Sequence, residues 1–328
     1  MSEGVEKTSR NVPTADRVAL GTFPTPLERA PRLAAAIGLA EDRLWIKRDD
    51  LTGLGGGGNK VRKLERALAS ARRDGAEVVV TTGAAQSNHA RLTAAAAARV
   101  GMRAILVLSG AAPDAVTGNL LLDELFGAEL RWVGDVDQPR RSAIAAEIAG
   151  ELADSGSRAY VIPFGGSDAD GALAYRDAAV ELLEQLPGPS SSVVALGSGA
   201  TMAGLVAGLG ADRVLGVSVG AVADPAGVVA RLVGEVAAPI DGAVLRVRLD
   251  QVGAGYGTLA EGSAAAVRLA AREEGIVLDP TYTGRALAGL IAAVEDGSLD
   301  GDEPIVFWHT GGLPGLFGHA QAGELVRG

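Results

Sequence analysis

Residues 55–65 read Gly55-Gly56-Gly57-Gly58-Asn59-Lys60-Val61-Arg62-Lys63-Leu64-Glu65. Four consecutive glycines belong inside neither a helix nor a strand, because each loses much backbone entropy on ordering and offers no side chain to pack. The chain breaks here, and a new element starts after Asn59. C-terminal to the break, β-branched apolar runs alternate with Ala- and Leu-rich amphipathic segments. Strands are predicted over 77–82, 103–108, 129–133 and 158–162, and helices over 88–100, 117–126 and 142–153. Such alternation predicts a parallel sheet covered by helices. A second series places strands near 192–196, 213–219, 244–249 and 304–308, with helices near 171–185, 201–210, 262–274 and 283–295. Between the two series, Pro163-Phe164-Gly165-Gly166 marks another crossing. The expectation is an α/β chain of two lobes, each a parallel sheet with helices on both faces. Residues 1–54 and 165–328 form the larger lobe and residues 55–164 the smaller.

Bulk properties agree and narrow the chemistry. A chain of 328 residues, 48% hydrophobic and 21% charged, is long enough for two cores and far from disordered composition. A net charge of −10 with scattered basic residues argues against nucleic acid as a partner. The chain has no cysteine, which excludes disulfides, thiolate catalysis and cysteine-based metal sites. Its three histidines, His89, His309 and His319, lack metal-ligand spacing, so no metal is expected. The polar stretch Met1–Asp16 lacks the apolar core of a signal peptide, and no later run reaches membrane-spanning length, so a cytoplasmic protein without membrane contact is expected.

Three segments carry candidate chemistry. Lys60 stands where the glycine loop becomes a helix, beside Arg62 and Lys63; nearby cations and partial burial lower an amine's pKa, and only the neutral amine attacks an aldehyde. The same segment also reads as a flexible loop ahead of a basic helix face. Gly197-Ser198-Gly199-Ala200-Thr201 follows an apolar strand and opens a helix, where converging amides, the helix dipole and two hydroxyls suit a small phosphate. A dinucleotide match there is loose, and residues 217–220 lack the acidic residue it requires. Gln86-Ser87-Asn88-His89 precedes an Ala-rich helix; Ser87 and Asn88 serve either as caps or as cofactor and substrate ligands. Gly216-Val217-Ser218-Val219-Gly220 matches a hydrolase elbow, but no clean helix start follows, so Ser218 reads as a strand residue.

Taken together, these segments resemble the D-cysteine desulfhydrase and 1-aminocyclopropane-1-carboxylate (ACC) deaminase family of fold-type II (tryptophan synthase β-like) pyridoxal 5′-phosphate enzymes. The resemblance includes Phe23-Pro24-Thr25-Pro26-Leu27, Trp45-Ile46-Lys47-Arg48-Asp49-Asp50-Leu51-Thr52, Tyr256, Asp279-Pro280-Thr281-Tyr282-Thr283-Gly284 and His309-Thr310-Gly311-Gly312, covering nearly the whole chain in order. It implies that Lys60 carries the cofactor as a Schiff base, Asn88 binds the ring oxygen, and Gly197, Ser198, Gly199, Ala200 and Thr201 cradle the phosphate. It further implies that Ser87 lies on the substrate side, Tyr282 lies against the ring, and Tyr256 is a second active-site tyrosine. A homodimer acting on a small amino acid is expected on the same ground.

Within the family, the deaminase branch resembles Tyr-Glu at Tyr282-Thr283 and His-Leu-Gly-Gly at positions 309–312; this chain has threonine at 283 and 310. A threonine hydroxyl leaves the ring nitrogen largely unprotonated, which suits β-elimination more than opening a cyclopropane. The expected reaction is therefore D-cysteine to pyruvate, ammonia and sulfide, with L-cysteate sulfo-lyase and then ACC deaminase as alternatives. His89, Arg91 and Lys63 are the candidate cations for a sulfonate. A non-catalytic amino-acid-binding protein and a NAD-dependent dehydrogenase are the other classes. Gly56 and Gly57 stand where the family often has Ala-Phe, which is expected to remove an aromatic wall and widen the pocket; Ala84-Ala85 and Trp308 are expected to alter its rim.

Overall fold

The computed structural model describes residues 17–299 and 301–327. The stretch Met1–Asp16, on which the absence of a signal peptide was read, lies outside them. In chain order the strands are β1 (Leu27–Arg29), β2 (Leu44–Lys47), β3 (Val78–Gly83), β4 (Arg103–Leu108), β5 (Glu129–Trp132), β6 (Ala159–Val161), β7 (Ser191–Leu196), β8 (Val214–Ser218), β9 (Arg246–Arg248) and β10 (Ile305–Trp308). They form a six-stranded sheet of order β1-β2-β10-β7-β8-β9 and a four-stranded sheet of order β5-β4-β3-β6. Every pairing is parallel except β1 on β2, which is antiparallel and departs from the expected all-parallel sheet. Three residues with one apolar side chain gave β1 no periodicity to read.

The inner strands β3, β4, β7, β8 and β10 are buried on both faces, which explains their nearly continuous apolar runs. In the larger sheet Val193, Ala195, Leu215, Val217, Ile305 and Phe307 point into one core. Their neighbours Val194, Leu196, Val214, Val306 and Trp308 point into another. In the smaller sheet Val79, Leu106 and Leu108 face one core, and Val78, Val80, Ile105 and Val107 the opposite one. This period of two, with helices packed over each face, is the doubly covered architecture expected from the sequence.

Both glycine crossings are tight turns. Gly55 (φ 54°) lies inside the turn Leu54–Gly56, and Gly165 (φ 67°) inside Phe164–Gly166. The helix Lys60–Arg73 leaves the first and the helix Ala169–Gln185 follows the second. They are tied by a buried cluster in which Arg62 donates to Asp49 at 2.9 Å and to Glu181 at 2.8 Å, while Lys47 Nζ donates to the Thr25 carbonyl at 2.7 Å and pairs with Glu181.

Candidate active site

A cleft opens beyond the C-terminal ends of β3, β7 and β10, where crevices in open α/β sheets collect ligands. Lys60, Ser87, Asn88, Gly197, Ser198, Gly199, Thr201, Tyr282 and Thr310 all line it. Of the remaining expected site residues, Ala200 is buried as the first residue of the helix Ala200–Leu209. Tyr256 reaches the site through a hydroxyl–hydroxyl hydrogen bond to Tyr282.

Lys60 is placed by a pinned loop. The Gly58 N–H donates to Thr52 Oγ1 at 2.8 Å, the Asn59 N–H donates to the Thr310 carbonyl at 2.9 Å, and Asn59 Nδ2 donates to Thr201 Oγ1 at 3.1 Å. Burial pushes the Lys60 pKa down to about 8. Neighbouring cations were expected to contribute, but Arg62 is turned away into the Asp49–Glu181 cluster, so desolvation is the cause. Lys63 is buried, donates to the Gly165 carbonyl at 3.2 Å, and is itself held well below its usual value by burial and then by Lys60.

Ser87 is both a cap and a wall residue. Its Oγ accepts from the Ala90 N–H at 3.1 Å at the start of the helix Asn88–Val100 while it lines the cavity. Opposite, the helix Ala200–Leu209 aims its first turn at the cavity, and its leading N–H groups have no intrahelical partner. Gly199, at φ +103°, leaves no room for a side chain there: an added Cβ would meet Val228 Cγ1 at 2.8 Å. An added Cβ at Gly197 would meet the Tyr282 ring at 3.3 Å. Ser198 and Thr201 add hydroxyls, and Ser167 Oγ donates to Ser198 Oγ at 2.7 Å and accepts from the Ala200 N–H at 3.3 Å. A buried amine of lowered pKa facing an amide-and-hydroxyl anion cradle, with an aromatic wall between, fits pyridoxal 5′-phosphate.

Several expectations change. Thr283 lies outside the cavity: its Oγ1 donates to Asp279 Oδ1 at 2.7 Å, so of the two threonines considered for the ring nitrogen only Thr310 lines the wall. Gly56, Gly57, Ala84, Ala85 and Trp308 are not among the lining residues; Trp308 faces the core and donates through Nε1 to Ser192 Oγ at 3.1 Å. Of the cations considered for a sulfonate, Lys63 and Arg91 are engaged with backbone carbonyls, and His89, which lines the cavity, is kept neutral chiefly by burial. Ser218 ends β8 inside the core. Ser167, which bonds to Ser198, and Asn119, whose Nδ2 donates to Asn88 Oδ1 at 3.0 Å, were missed by sequence reasoning, since each supports a lining residue from a distant segment and carries no motif.

A family model described as pyridoxal-phosphate dependent enzyme matches residues 18–311. D-cysteine desulfhydrases from two strains of Klebsiella pneumoniae are each 41% identical over 326 aligned positions, covering 94% of this chain and 98% of the relative. A solved ACC deaminase homologue superposes with a TM-score of 0.85 at 38% identity, covering 95% of this chain and 96% of that one. O-ureido-L-serine synthase, at 18% identity and a TM-score of 0.66, shares the fold. The chain belongs to the pyridoxal-phosphate dependent enzymes, in the group that includes D-cysteine desulfhydrases and ACC deaminase homologues.

Proposed function

We propose that the chain is a D-cysteine desulfhydrase, removing sulfide from D-cysteine with pyruvate and ammonia as the other products after hydrolysis. Convergence of Lys60 and the Ser198–Thr201 cradle on one cavity carries this reading, and the desulfhydrase relatives supply the substrate. When bound, pyridoxal 5′-phosphate withdraws electrons from the substrate's α-carbon. Lys60, with its amine partly neutral near pH 8, would hold the cofactor, and its Nζ, once the substrate amine takes its place, would be free to accept the α-proton. Ser198, Thr201 and the helix amides would hold the phosphate and Asn88 the ring oxygen, with Tyr282 as the wall; all of these side chains line the cavity. Ser87 would meet the substrate carboxylate, and the Tyr256–Tyr282 pair would hold protons beside the Tyr282 wall.

The same proposal takes residues 55–164 as a smaller lobe over the larger one, supported by two sheets that share no strand. It also takes the protein to be a homodimer, supported by exposed Leu121, Leu125, Leu313 and Phe317 on two helices that pack together. Among the described residues no helix is long and apolar enough to cross a membrane; a cytoplasmic location is part of the proposal.

The test is keto-acid release from D-cysteine, L-cysteate and ACC by purified protein that shows a visible band abolished by borohydride. Pyruvate from D-cysteine is expected. Turnover of L-cysteate alone would reassign it as a sulfo-lyase, and ACC turnover as a deaminase. The band without any keto acid would leave an amino-acid-binding protein.

A further inference from the structure

The two ends of the Asn88 side-chain amide are alike in shape and opposite in chemistry; which end faces the cavity decides whether it donates or accepts. The residues behind it fix that choice. Arg91 is fully buried; its Nε donates to Asn119 Oδ1 at 2.9 Å, and its Nη1 donates to the carbonyls of Gly55 and Gly57. A guanidinium can only donate, so Asn119, itself fully buried, must present its oxygen to Arg91. On its other side, Asn119 Nδ2 lies 3.1 Å from the Gln86 main-chain carbonyl, which can only accept. Two partners of fixed polarity thus set the Asn119 amide independently.

Asn119 Nδ2 also donates to Asn88 Oδ1 at 3.0 Å, and Arg91 Nη2 reaches the same oxygen at 3.5 Å. The Asn88 carbonyl therefore points back at Asn119, and its Nδ2 is turned away from that pair. Rotation is blocked from behind. The Asn119 N–H donates to Gln86 Oε1 at 2.9 Å, and Gln86 Nε2 donates to the Thr117 carbonyl at 3.0 Å. The short helix Leu313–Gly318 lies over the group so closely that an added Cβ at Gly315 would sit 3.3 Å from Asn119 Nδ2.

We propose that Asn119, held by Arg91 and Gln86, is a positioning residue that turns the Nδ2 donor of Asn88, and not its carbonyl, toward the ring oxygen of the bound cofactor. This rests on the cofactor reading above, in which Asn88 meets that oxygen. The donor stabilises the oxygen as an anion; a carbonyl in its place would repel it. Polarity thus passes from Arg91 and the Gln86 carbonyl, through Asn119 and Asn88, to the cofactor.

Asn119→Asp separates this role from packing. It keeps the oxygen that Arg91 needs and replaces the donor facing Asn88 with an acceptor, so that the Asn88 amide is satisfied only by turning over. In the full-length chain, Asn119→Asp should shift absorbance of the bound cofactor from the visible to the near-ultraviolet and raise the Kd for pyridoxal 5′-phosphate about tenfold. Asn119→Ala, which merely untethers Asn88, should raise Kd less while lowering the Tm of the cofactor-free chain at least as much. A wild-type spectrum and Kd in Asn119→Asp, or Kd changes that simply follow Tm across both variants, would overturn the proposal. Loss of the visible band in the wild-type protein would instead overturn the cofactor reading. Should Asn119→Asp not fold, neutron diffraction of the wild-type holoenzyme decides: Asn88 Nδ2 toward the ring oxygen is expected, and Oδ1 there refutes the relay.

Discussion

The hydroxyls of Tyr256 and Tyr282 are hydrogen-bonded to each other, and their rings meet edge to face with centroids 6.0 Å apart. Burial raises both phenols above their ordinary pKa, and Tyr256 raises Tyr282 further. Both therefore stay protonated at neutral pH. The loop carrying Tyr256 is held by Arg285, whose guanidinium donates to the carbonyls of Val219, Gly255 and Thr258 at 2.7, 2.7 and 2.8 Å.

Tyr256→Phe leaves the Tyr282 hydroxyl without this partner and removes one of the pair's two protons. If the pair moves a proton during turnover, kcat/KM for D-cysteine should fall about a hundredfold, the lower end of what a positioned acid or base contributes, with the cofactor band retained. Steady-state kinetics beside the absorbance spectrum check this; unchanged kcat/KM would take the pair out of the proton path.

Lys60 predicts a pH dependence that is independent of substrate. Burial lowers its pKa from 10.5 to about 8, so the charged amine dominates below that value and the neutral amine above it. Only the neutral form bonds to an aldehyde. The rate at which cofactor-free protein takes up pyridoxal 5′-phosphate, followed by stopped-flow absorbance, should rise as pH passes through about 8 and level off above it. Lys60→Ala should lose both the visible band and turnover.

Much of this was legible in the sequence because inner parallel strands are continuous apolar runs and helices are Ala-rich amphipathic ones; the strand at 103–108 and the helix at 88–100 were bounded to the residue. The glycine loop and the 197–201 segment were legible because backbone geometry, and not tertiary context, demands those residue types. The opposite holds for Thr283 and Thr310: both looked equivalent as hydroxyls, and only the Asp279 carboxylate, which accepts from the N–H groups of Thr281, Tyr282 and Thr283 and from the Thr283 hydroxyl, shows which one is tied up away from the cavity. Arg62 misled in the same way, since adjacency to Lys60 says nothing of the direction in which a helix points a side chain.

The cluster behind the lysine helix should make the fold acid-sensitive. Burial alone would raise the Glu181 carboxyl, but hydrogen bonds and charge from Arg62 and then Lys47 outweigh it, holding the pKa at about 2 against an ordinary 4.5. A folded pKa below the unfolded one contributes stability that is present above about 4.5 and lost as pH falls toward 2. Glu181→Gln leaves buried Lys47 and Arg62 short of a counter-charge and should cost about 3 kcal/mol at neutral pH. Denaturant titrations at pH 7 and near pH 3 check this: the gap between variant and wild type should narrow in acid.

Thr310 is buried and lines the cavity wall, and its carbonyl fixes the Asn59 N–H. Thr310→Glu replaces the hydroxyl with a carboxylate that would favour a protonated ring nitrogen if Thr310 faces it. Turnover of D-cysteine should slow by about tenfold or more, a loss of roughly 1.4 kcal/mol in barrier terms, and the cofactor spectrum should change with it. Unaltered rate and spectrum would mean that the ring nitrogen lies elsewhere.

Gly56 and Gly57 stand side by side, yet the structure assigns them different costs. Gly57 is buried at φ +74°, and a Cβ there would lie 1.9 Å from the Asp50 carbonyl oxygen, a clash with main chain that no rotamer relieves. Gly56, at φ +87°, is exposed, and its added Cβ would find only ordinary contacts at 3.5 Å. Gly56→Ala therefore costs the left-handed backbone alone, about 1 kcal/mol. Gly57→Ala must move either the loop or the Asp49–Leu51 turn and should cost about 3 kcal/mol or more. Because the carbonyls of Gly55 and Gly57 are both gripped by Arg91, the displacement should reach Lys60, so Gly57→Ala should purify with little cofactor while Gly56→Ala retains it. Equal cofactor content and equal Tm in the two variants would show that the loop follows a different path from the one described.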